Sequence, residues 1–93
     1  MNNLYLNCRN IITRPELHDK IADEFGFPEW YGKNLDALYD CLLDISTDTI
    51  MVIENFSLLE EKLGKYALNF KKVLIDASAE NKFLDIEFKS PEN

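Results

Sequence analysis

Ninety-three residues, 46% of them hydrophobic, suit one packed domain and exclude both a two-core chain and a disordered one. Seventeen acids against ten bases give a net charge of −7, which excludes nucleic acid and anionic membrane as partners because both need a basic footprint. A basic protein partner fits this balance, as does no charged partner at all.

Leu4 to Cys8 reads as a short strand. Thr13-Arg-Pro-Glu16 fits a capping box that opens a first helix, with Ile12 packing on Leu17 as a hydrophobic staple. Leu17, Ile21 and Phe25 follow at helical spacing until Gly26 ends the helix. His18, the sole histidine, is expected on the surface of this helix. Phe27-Pro28 opens an irregular segment, Gly32 allows a turn, and Asn34 caps a second helix that runs to about Asp44. Ser46 to Thr49 is a polar turn. Ile50-Met-Val-Ile53 is a continuous apolar run, as in a strand buried on both faces. A short third helix is expected with Ser57 as cap and Glu60 three positions on, stopped by Gly64. A fourth runs from about Lys65 to Glu80, burying Tyr66, Phe70, Val73, Leu74 and Ala77. Leu84 to Phe88 alternates like a half-covered or edge strand, and residues after Lys89 form a frayed tail. Strands separated by helices imply parallel pairing through crossovers, so the expected fold is α/β, a three-stranded parallel sheet covered by four helices in one domain over residues 1–89.

The start of the chain has neither a basic region nor a long apolar stretch, so a cytoplasmic protein is expected, with no membrane span. Cys8 and Cys41 fall on apolar faces and read as reduced core residues, a disulfide being the alternative. Enzymatic chemistry has little to work with. A Cys41–His18 dyad is the one conceivable nucleophile and base, and three scattered Cys and His residues do not make a zinc site. The three glycines lie at helix boundaries and build no phosphate-cradling loop. No cofactor is called for. Asp36 and Asp40 could hold a hard cation with waters, which keeps a small carboxylate-rich metal-binding protein or enzyme as an alternative.

The segment from Pro28 to Leu42 carries more information than any other. At about 100° per residue from the Asn34 cap, Leu35, Leu38, Leu42 and Ile45 share one face, and Asp36, Asp40 and Asp44 share another. Aspartates four apart repel by a few tenths of a kcal/mol per pair, roughly, and no base stands at i+4 to neutralise them. An outer helix face is ordinarily charged and solvated. Here Tyr39 borders the stripe and Trp30 and Tyr31 precede the helix, and rigid aromatics beside charge are typical of interfaces. One of Trp30 and Tyr31 is expected to pack inward beside Phe27, since neighbours in an extended segment point to opposite sides. Asp76 and Glu80 lie one turn apart on the fourth helix, where Lys72 can pair with Asp76.

The run Pro28-Glu-Trp-Tyr-Gly-Lys-Asn-Leu-Asp-Ala-Leu-Tyr-Asp-Cys-Leu42 resembles the signature of the barstar family, intracellular inhibitors of secreted bacterial ribonucleases. Asp76-Ala-Ser-Ala-Glu80 is a second, shorter match. The resemblance implies a monomeric, non-enzymatic inhibitor of a basic, secreted, barnase-type ribonuclease, or an immunity protein against another nuclease toxin. It implies contacts from the second helix and the loop before it, at Trp30, Tyr31, Gly32, Asn34, Asp36, Tyr39, Asp40 and Asp44. Asp40 would be the central phosphate mimic, Asp36 a second acid beside it, Trp30 the stacking aromatic, and Asp76 and Glu80 peripheral acids. Trp30 stands where the family has tyrosine and Tyr39 where it has tryptophan. Lys33 replaces an acid, Asp76 shortens a glutamate, and Asp44 and Ile45 lie where the family has glycine and tryptophan.

Overall fold

The computed structural model describes residues 2–89, so the tail expected after Lys89 lies outside the described residues. Seven elements follow in order: β1 (Asn2–Asn7), α1 (Arg14–Phe25), α2 (Leu35–Leu43), β2 (Thr49–Glu54), α3 (Phe56–Leu63), α4 (Lys65–Glu80) and β3 (Leu84–Lys89). The strands form one sheet in the order β1-β2-β3, and both pairs are parallel. Each parallel pair is joined by a two-helix crossover, as parallel strands require. The α/β fold expected from the sequence is the one observed.

Strand register sorts the two faces of the sheet. Leu6, Ile53 and Phe88 are cross-strand partners, as are Leu4, Met51 and Ile86. Leu6, Met51, Ile53 and Leu84 belong to the buried core together with Leu17, Ile21, Leu38, Leu42, Phe70 and Leu74 from the helices. The opposite face carries Tyr5, Val52 and Glu87 in one row, where Tyr5 stays 51% exposed. Expected burial of β2 on both faces therefore holds only in part. Val52 is buried, but it stands outside the core cluster and Ile50 is half-buried.

Local caps set the helix positions. Thr13 Oγ1 accepts from the Glu16 N–H at 3.2 Å, and the Glu16 carboxylate reaches back to the Ile12 N–H at 3.1 Å. The expected staple is not made. Ile12 is 56% exposed, and Ile11 is the residue that enters the core, because the chain turns after Cys8 and presents Ile11 inward. Gly26 closes α1 with φ 69°, a left-handed conformation that glycine adopts without a Cβ clash. The cap expected at Ser57 is also corrected. A single residue, Asn55, links β2 to α3, leaving no room for a cap at Ser57. Asn55 makes the turn at φ 60°, and its Nδ2 donates to Asn7 Oδ1 at 2.8 Å.

Candidate functional site: the loop before α2 and its acidic face

Asn34 starts α2 as the sequence predicts, its Oδ1 accepting from the Ala37 N–H at 2.8 Å while its Nδ2 donates to the Gly32 carbonyl at 3.2 Å. The same tight corner explains Gly32. A Cβ there would meet Asn34 Nδ2 at 3.2 Å and the Ala37 methyl at 3.3 Å, so glycine serves close approach. The left-handed residue of this corner is Lys33, at φ 53°. At the far end of α2, Asn81 Nδ2 donates to the carbonyls of Leu42 and Ile45, both at 2.9 Å. Those bonds satisfy groups a helix C-terminus leaves open and fasten α2 to the end of α4.

Of the paired aromatics, Tyr31 is the one that turns inward. Its ring is 5% exposed and packs 5.0 Å from Phe27, which stacks on Phe25 at 5.2 Å. Tyr31 thus supports the loop from its buried side. Trp30 beside it is 80% exposed. Burial of so large a ring is worth several kcal/mol, so the free protein forgoes an available gain. Asp36, Asp40 and Asp44 are all exposed, with Asp44 at the C-cap just past the helix. Tyr39 is half-buried and packs against the core.

His18 holds this loop from beneath, against the expectation that it lies on the surface. It is fully buried, with Nδ1 2.6 Å from the Tyr31 hydroxyl and Nε2 2.6 Å from the Tyr66 hydroxyl. One bridge therefore joins α1, the loop and α4. Neutral imidazole offers one donor and one acceptor, which suits two hydroxyls. Burial lowers the pKa of His18; Asp19 opposes this and Lys33 adds to it. Burial raises the pKa of Tyr31 and Tyr66, so both hydroxyls stay protonated.

α2 packs on α4, which carries Asp76 and Glu80, both exposed. Asp76 pairs with Lys72 at 3.1 Å, as its spacing predicts, and that exposed pair contributes little to stability. Both cysteines are free. Cys8 is fully buried, which pushes its thiol up to about 12. Cys41 is only half-buried, short of the core position expected, and burial with Asp44 and Asp40 raises its pKa as well. Neither thiol is activated as a nucleophile. Among the described residues, no three His, Cys, Asp or Glu side chains gather as a metal site, and no helix is long and apolar enough to cross a membrane.

A family model described as Barstar (barnase inhibitor) matches residues 1–90. The chain belongs to the barstar family. A protein of Bacillus subtilis (strain 168) named "Putative ribonuclease inhibitor YrdF" is 36% identical over 90 residues, 96% of each chain. Membership in the barstar family gives the exposed loop and acidic helix a context that the sheet alone does not. Sequence reasoning missed His18, Tyr66 and Asn81 as supports of that surface. His18 stands three residues before Ile21 and seven before Phe25, a spacing that puts it on the buried arc of α1. No comparable pattern marks Asn81.

Proposed function

We propose that this protein inhibits a basic, barnase-type ribonuclease inside the cell that makes it, by occupying the enzyme's active site without catalysis of its own. Trp30, held outward while Tyr31 anchors the loop, is the observation that carries this reading. A ribonuclease must present cationic groups to bind RNA phosphates. Carboxylates of Asp36 and Asp40, one helical turn apart with no base at i+4 along the helix, suit those groups. Asp40 takes the central phosphate position and Asp36 the contact beside it. Gly32 and Asn34 shape the corner between Trp30 and the helix that carries the stripe, Tyr39 flanks the stripe, and Asp44, Asp76 and Glu80 serve as an acidic rim. The net charge of −7 speeds encounter with a basic enzyme.

Family membership and the relative's name support the ribonuclease as partner class. Titration of a barnase-type ribonuclease with the purified protein tests the proposal. Activity should fall linearly to zero at one equivalent, and the inhibitor alone should cleave no RNA. Full activity at large excess would remove the proposal for that target.

A further inference from the structure

Arg14 is the feature of this surface that an acidic inhibitor does not need. It opens α1, where the helix dipole disfavours a cation, so helix stability gives no reason for it. Its guanidinium lies 4.3 Å from the centroid of the Tyr66 ring. That ring is itself fixed, because the Tyr66 hydroxyl is bonded to the buried His18. Stacking on a fixed ring pre-organises the guanidinium plane and leaves its N–H edge available. The ion pairs among the described residues are Lys33–Asp19 at 2.8 Å and Lys72–Asp76 at 3.1 Å, and Arg14 is in neither. Arg14, Tyr66, Lys33 and Asp36 line an open cleft of about 500 Å³ at the start of α2. Surface charge therefore changes sign within one turn of the acidic stripe.

We propose that this cleft receives a carboxylate side chain of the ribonuclease, held by Arg14 with Lys33 beside it, at the edge of the otherwise basic contact. The proposal rests on the inhibitor reading and adds partner specificity: the fitting enzyme carries an acidic residue next to its phosphate-binding cations. A uniformly basic enzyme face would be repelled by Arg14. The two cases give opposite signs. Removing Arg14 weakens binding to an enzyme with that acid and tightens binding to one without it.

Equilibrium and rate constants for a barnase-type ribonuclease that carries an acidic residue beside its phosphate-binding cations, measured with the native sequence and with Arg14→Ala, test the assignment. Loss of a charge-assisted, fork-like contact should raise Kd about 10- to 100-fold, mostly through faster dissociation, with the melting temperature of the free protein unchanged. Should Arg14→Ala melt early, Arg14→Gln keeps the side-chain reach and gives the same test. An unchanged or lower Kd in a folded variant overturns the carboxylate assignment while leaving inhibition intact. Failure of the native sequence to inhibit would overturn both readings together.

Discussion

The buried bridge makes stability depend on pH in a way that can be worked out in advance. Protonated His18 would donate from both ring nitrogens, so both tyrosine hydroxyls would have to accept. Tyr31, at 5% exposure, would then hold a hydroxyl proton with no water to receive it. The folded protein therefore resists protonation, and His18 has its pKa lowered from 6.5 chiefly by burial. An unfolded chain takes up that proton near pH 6.5, so below this pH the unfolded state binds more protons than the folded one. The contribution is whole above pH 6.5 and is lost as pH falls through the lowered folded value. Its slope reaches about 1.4 kcal/mol per pH unit at most. Urea melts of the native protein and of His18→Gln from pH 8 to pH 5 isolate the effect, because other titrating groups are common to both. The stability gap should be widest at pH 8 and narrow below about pH 6.5. Tyr31→Phe, which removes one partner of a buried bond, should cost about 1–3 kcal/mol at pH 8. For a domain of this size each kcal/mol lowers the melting temperature by roughly 4–8 °C. A gap that stays constant across the pH range would refute the bridge as a buried, neutral link.

Two further substitutions separate surface from core. Trp30→Ala should change free-protein stability by no more than about 0.5 kcal/mol, since the ring is exposed, yet weaken inhibition about tenfold or more; unaltered inhibition would take Trp30 out of the contact. Cys8→Ala with Cys41→Ala should lower the denaturation midpoint through lost packing, chiefly at Cys8, and leave the inhibition constant within a small factor. Lost inhibition in the folded double variant would contradict the core assignment.

The elements were legible because their signals are local. Thr13 and Asn34 announce their helices with side-chain oxygens, Gly26 and Gly64 mark helix ends, and alternation at Leu84, Ile86 and Phe88 marks an edge strand. The acidic stripe was legible for the same reason. What stayed hidden depends on pairs distant in sequence. Tyr66 meets His18 across 48 positions, and Asn81 reaches the Leu42 carbonyl across 39. Side-chain type made His18 look like a surface residue, although its position on α1 is inward. Neither Trp30 nor Tyr31 could be assigned a side before the packing of Phe25, Phe27 and Tyr31 was seen. The Ser57 cap failed because a one-residue link from β2 starts α3 earlier than the cap motif suggests.

In the proposed complex Asp40 is a desolvated phosphate substitute, while Asp44, at the C-cap of α2, acts from the rim through solvent. Stopped-flow association and dissociation rates for Asp40→Ala and Asp44→Ala, at low and high salt, test this directly. Asp40→Ala should leave the enzyme's cations unpaired in a buried contact, costing about 3–5 kcal/mol and appearing mainly as faster dissociation at both salt concentrations. Asp44→Ala should slow association by a modest factor that shrinks as salt rises. Equal small effects from the two would contradict the phosphate-mimic role and leave the stripe as a solvated helix face.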